Sequence, residues 1–118
     1  MRTWVVESII STKTEDPGLT RQPSTTIAGV VFDRTTIDKV WAKANQELWF
    51  TYYKRDICGA LIRKDDYGAE TAYGWEIDHI KPVSQGGTDD ISNLQPLHWE
   101  NNRYKGENFP EWTAKKRS

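Results

Sequence analysis

The chain has 118 residues, 16 basic and 17 acidic side chains and a net charge of −1. It carries no apolar run near the ~20 residues of a membrane span, so it reads as one soluble domain with no membrane partner, not as a polybasic nucleic-acid binder. Cys58 is the only cysteine, which excludes an internal disulfide and a thiolate zinc cluster of the chain's own. The N-terminus MRTWVVESIISTK lacks the pattern of a signal peptide, and a cytoplasmic protein is expected.

Two β-branched runs, WVVESII at 4–10 and IAGVVF at 27–32, flank a Thr, Pro, Gly and Ser-rich stretch and predict two strands around a long loop. DRTTIDKVWAKANQELW then changes period. Ile37, Val40, Trp41, Ala44 and Leu48 fall on one face, with Thr35 or Thr36 as cap, which predicts an amphipathic helix of about three turns. A short strand is expected at Ala60 to Arg63, ended by the turn residues DDYG.

TAYGWEIDHIKP predicts the next strand, with Trp75, Ile77 and His79 on one face and Glu76, Asp78 and Ile80 on the other. Pro82 closes it. A Gly86-Gly87 loop leads to a second strand at Ile91 to Leu97 and a helix at about His98 to Gly106. In the tail, Trp112 is the expected anchor. The predicted organisation is a single compact domain: an N-terminal β/α extension at 1–53, a core at 54–107 and a tail at 108–118.

If the helix folds back across the hairpin, Asp78, His79, Asn93 and Asn102 share one neighbourhood. A carboxylate and an amide oxygen are hard ligands suited to Mg²⁺ or Mn²⁺, and a neighbouring imidazole can take a proton from water. Such a set suits phosphodiester cleavage. Positive and negative charges balance in each half of the chain, so any affinity for a polyanion rests on where the charges sit and on a bound cation.

The pattern D-H-I-x-P-x-S-x-G-G, N-L-x-x-L, N-x-x-K resembles the HNH endonucleases, whose fold is the ββα-metal module. Here it reads Asp78-His79-Ile80-Lys81-Pro82-Val83-Ser84-Gln85-Gly86-Gly87, Asn93-Leu94-Gln95-Pro96-Leu97 and Asn102-Arg103-Tyr104-Lys105. The resemblance covers residues 75 to 107 and implies an α+β protein with a ββα-metal core that hydrolyses DNA phosphodiester bonds with one Mg²⁺ or Mn²⁺ ion. It assigns Asp78 and Asn102 to the metal, His79 to the general base and Asn93 to bracing the loop that orients it. Lys81, Arg103, Lys105 and Arg55 are the expected phosphate contacts.

Many members of the family hold a structural zinc between two Cys-x-x-Cys pairs, whose positions here are Arg55 and Cys58, then His98 and Asn101. No structural zinc is expected, because Cys58 and His98 alone cannot close a tetrahedral site. His98 is therefore read as structural, holding the start of the helix, with an accessory contact to metal or phosphate as the other reading. The balanced charge predicts weak intrinsic affinity for DNA and delivery of substrate by a larger protein complex. The competing readings are a non-catalytic nucleic-acid-binding module on the same scaffold and a nuclease acting on RNA.

Overall fold

The computed structural model describes residues 21–118. The strand expected at 4–10 and the start of the loop after it fall outside that range. Residues 27–32, expected as the second strand, form a turn instead. Thr26 N donates to Val30 O and Gly29 N to Thr26 O, both at 2.8 Å, and Gly29 adopts φ +80°. Thr25 and Val31 meet only in an isolated bridge. A β-branched run with a left-handed glycine in its middle closes on itself more readily than it extends. Of its apolar side chains Phe32 enters the core, while Val30 and Val31 stay exposed.

Helix α1 spans Arg34–Trp41, and its cap is Asp33, whose carboxylate accepts from Thr36 N at 2.8 Å. That bond holds the Asp33 carboxyl below its ordinary value. Neither Thr35 nor Thr36 is the cap, and the helix is shorter than its apolar spacing predicts. Lys43 N and Ala44 N bond back to Val40 O and Trp41 O, which tightens the end of the helix. The chain then turns into β1, Asn45–Gln46, which pairs with β2, Tyr53–Arg55. A sheet ladder thus overrides helical periodicity, and Leu48 is left 85% exposed.

Strand β3, Leu61–Arg63, completes a three-stranded antiparallel sheet in the order β1-β2-β3. The second sheet is the hairpin of β4, Trp75–His79, and β5, Leu94–His98, in register from Trp75↔His98 to His79↔Leu94. Helix α2, Trp99–Lys105, follows β5 without a break and packs across both strands. The architecture is α+β with a ββα core. Among the described residues no helix is long and apolar enough to cross a membrane.

Alternation along β4 decides what the core and the helix each receive. Trp75 and Ile77 join Phe32, Val40, Trp41, Ile62 and Leu94 in the core. The Trp75 ring is fully buried, with the Tyr67 and Trp41 rings at 4.9 and 5.2 Å between centroids. Truncation of a ring so placed costs about 3–5 kcal/mol. Glu76 and Asp78 point the other way, toward α2, and both are buried. Two buried carboxylates on one strand need partners, and α2 supplies them.

Candidate active site

The partners come from successive positions of one helix. Asn102 Nδ2 donates to Glu76 Oε1 at 2.7 Å, and Arg103 Nη2 donates to Glu76 Oε2 at 2.6 Å. One turn on, Lys105 Nζ, 1% exposed, donates to Asp78 Oδ1 at 3.3 Å and to His79 O at 3.1 Å. Gln95 Nε2 adds a bond to Asp78 Oδ2 at 3.0 Å. Burial still pushes the Asp78 carboxyl above its ordinary value, against the pull of Gln95, Lys105 and His79.

His79 closes the same strand on its other face. Its Nε2 lies 2.8 Å from Asp89 Oδ1, and the Phe32 ring packs on it at 6.0 Å between centroids. The loop that carries Asp89 is braced by Asn93. That side chain accepts from Lys81 N at 2.9 Å and donates to Lys81 O at 3.1 Å and Thr88 O at 2.9 Å. Ile80 N adds a bond to Asn93 O at 2.8 Å. Gly87 lies under this brace: a Cβ there would stand 1.7 Å from Lys81 O.

Asp78, His79, Asn102 and Arg103 line one cleft of about 630 Å³. Two further segments line it, one with Ser84 and Glu107 and a second with Arg21, Pro23, Ser24 and Ile27. The second segment is seated by Ser24 Oγ, which accepts from Ile77 N and pairs with Tyr67 Oη, both at 2.8 Å. Glu107 is tied to Ser84 and Gln85.

The donors in the cleft fit a hard divalent cation. Asn102 Oδ1 accepts no hydrogen bond from the described residues, because Glu76 engages the amide through its nitrogen. A carboxylate has about four lone-pair directions, so Asp78 keeps acceptor capacity beside Lys105 and Gln95. Among the described residues no three His, Cys, Asp or Glu side chains gather as a cage. An ion of the Mg²⁺ type keeps most of its waters and needs only one or two protein ligands.

The positions that carry zinc-binding cysteines in many relatives do not fit zinc here. Both nitrogens of buried His98 are engaged, Nδ1 accepting from Glu100 N at 3.1 Å and Nε2 bonded to Ala72 O at 2.8 Å. The Cys58 thiol is pushed up to about 11, by burial first and then by the Asp56 carboxylate. The segments are joined instead by Asp56, which is fully buried. Its Oδ1 accepts from Cys58 N and Ala60 N, and its Oδ2 from His98 N and Asn101 Nδ2, all at 2.9–3.0 Å. Asn101 passes the tie on by accepting from Lys115 N and Lys116 N at 2.8 and 2.6 Å. The tail is thus anchored mainly by its backbone on Asn101, with Trp112 half-buried.

Several sequence expectations change at this point. Lys105, expected as a phosphate contact, is placed differently: its ammonium is buried and committed to Asp78 and His79 O. Arg103 lines the cleft but is bound to Glu76 and Glu70, and the Glu76 bond foremost raises its pKa. Arg55 lies away from the cleft, bonded to Glu47 Oε2 at 2.7 Å and Gly59 O at 2.9 Å. Lys81 is exposed beside the braced loop. Arg21, Glu76, Asp89 and Asp56 were missed. Only Glu76 left a signal, as the charged residue that shares a strand face with Asp78.

A hairpin with an Asp-His pair at the end of one strand, a braced Gly-Gly loop and a helix that brings an amide into the same cleft make up a ββα module. The profile of the HNH endonuclease family matches residues 56–108, so that segment of the chain is similar to HNH endonuclease domains. No curated protein and no solved structure matches the chain significantly. HNH nucleases act on nucleic acid and generally use a divalent metal ion.

Proposed function

We propose that the protein is an endonuclease that hydrolyses phosphodiester bonds in DNA, with His79 as general base and Asp78 and Asn102 holding one Mg²⁺ or Mn²⁺ ion. The observation that carries this reading is the convergence of Asp78, His79 and Asn102 on one cleft. A bound divalent ion supplies charge neutralisation at the phosphate and at the leaving oxygen.

The chain's own residues do the rest. His79 Nε2 is engaged by Asp89, so Nδ1 is the nitrogen left to take a proton from the attacking water. Glu76 holds the Asn102 amide by its nitrogen, which leaves the amide oxygen for the ion, and Lys105 with Gln95 fixes the Asp78 carboxylate. Asn93 holds the loop that carries Asp89 against the strand end. Arg21 and Lys81 remain as phosphate contacts at the cleft and beside it.

Arg103 and Lys105 spend their charge on Glu76, Glu70 and Asp78, which leaves few cations for phosphates. Intrinsic affinity for DNA is accordingly low, and a larger complex delivers the substrate. The test is incubation of supercoiled plasmid with the purified protein at low salt, with Mg²⁺, with Mn²⁺ and with chelator. Nicked or linear product in the first two arms alone supports the proposal. Intact plasmid in all arms contradicts it.

A further inference from the structure

We infer that Asp89 is the positioning residue of the base: it holds the His79 ring in the Nε2–H tautomer, and the turn at residues 26–29 holds Asp89 in turn. The inference rests on the reading of His79 as general base. A carboxylate offers only acceptors, so the 2.8 Å contact requires a proton on His79 Nε2. The lone pair of the neutral ring is then on Nδ1, which makes no hydrogen bond to any described residue, and the ring lines the cleft beside Asp78 and Asn102.

Asp89 has little means of holding this pose alone, because it sits on an exposed loop with its side chain 38% exposed. Two features place it. The loop is closed behind it by Asn93 on Thr88 O and Lys81 O. In front, Ile27 N donates to both carboxylate oxygens, each at 3.2 Å. A main-chain N–H straddling the carboxylate fixes its plane, and the plane aims Oδ1 at the ring. The segment that walls the cleft therefore also sets the base.

Ile27 is the second residue of a β-turn closed by Gly29 N on Thr26 O at 2.8 Å. Proline is favoured at that position and has no N–H. Ile27→Pro therefore removes the clamp on Asp89 while keeping the turn.

The experiment compares wild type, Asp89→Ala, Asp89→Asn and Ile27→Pro in plasmid cleavage and in imidazole nitrogen NMR. The chain has two histidines, so the spectrum is assigned by comparison with His79→Ala. We expect kcat for Asp89→Ala to fall about 10- to 100-fold, the usual effect of losing a group that orients a functional side chain, with KM within about twofold. Asp89→Asn can still accept from Nε2–H, so it should recover most of the rate, and Ile27→Pro should fall between Asn and Ala. The nitrogen shifts of His79 should move from the Nε2–H tautomer in wild type to a mixture in Asp89→Ala.

Unchanged kcat in Asp89→Ala, or unchanged His79 tautomer shifts, would overturn the inference. So would a loss in Asp89→Ala fully explained by unfolding, with Asp89→Asn and Ile27→Pro folded, as active as wild type and unaltered in tautomer. Wild-type protein that cleaves nothing overturns the nuclease reading instead, and the nitrogen spectra then still decide whether Asp89 sets the tautomer.

Discussion

Replacement of Asp56 is the sharpest test of how this domain holds together at the positions where many relatives bind zinc. The carboxylate is fully buried and accepts from three backbone N–H groups, of Cys58, Ala60 and His98, and from Asn101 Nδ2. Asp56→Ala strands all four donors. At the low end of the usual cost, about 1 kcal/mol for each buried donor left unsatisfied, the loss is about 4 kcal/mol. That is a large part of the ~5–15 kcal/mol that a domain of this size possesses. In a thermal melt it corresponds to a drop of about 16 °C or more. Equilibrium urea unfolding of wild type, Asp56→Ala and the exposed control Asp65→Ala measures it. The control should stay within about 0.5 kcal/mol of wild type. Loss of less than about 1 kcal/mol in Asp56→Ala would refute the assignment of Asp56 as the central tie.

Other expectations follow from the same geometry. Removal of Glu76 by Glu76→Ala frees the Asn102 amide to rotate, so cleavage should need more metal for half-maximal rate and fall about 10- to 100-fold. A metal titration of the rate checks this, and an unchanged half-point contradicts it. Lys105→Met leaves the Asp78 carboxylate buried without its cation and should cost about 3–5 kcal/mol in urea unfolding. In the His79→Ala background, Lys81→Ala should lower the salt slope of DNA binding by about 1. Cys58, raised from 9.0 to about 11, should carry about 100-fold less thiolate at pH 8 than an unperturbed thiol. Disulfide-exchange labelling should then be slow in the native protein and fast in urea. Because the folded-state pKa lies above the unfolded one, the native state keeps its proton longer. Cys58 should therefore subtract stability progressively as pH rises from about 9 to about 11.

The β4 strand and α2 helix were readable in the sequence because each is local. A period of two along WEIDH and a helix starting at His98 need no knowledge of the rest of the chain. Residues 27–32 and the end of α1 depart from their local pattern for the opposite reason. In the first, a left-handed Gly29 turns the chain before a strand can extend, and in the second, pairing of Asn45–Gln46 with β2 ends the helix.

The candidate site residues sit in a local motif, but the residues that hold them in place do not. Asp56 reaches Asn101 across 45 positions, and Ile27 reaches Asp89 across 62. Spacing alone cannot reveal such contacts. Lys105 shows the same limit from the other side. It sits in the motif next to candidate phosphate contacts, yet the face of α2 that it occupies is the buried one, and its charge serves Asp78.

His79 is proposed to drive metal-dependent hydrolysis of a phosphodiester bond. The most direct test is the single-turnover cleavage rate of supercoiled plasmid with Mg²⁺ or Mn²⁺, for wild type and for His79→Ala matched in fold by circular dichroism. Cleavage by wild type, abolished by chelator, and a rate about 10²- to 10⁴-fold lower in His79→Ala are expected. Equal rates in the two proteins, or cleavage that persists in chelator, would contradict the proposal.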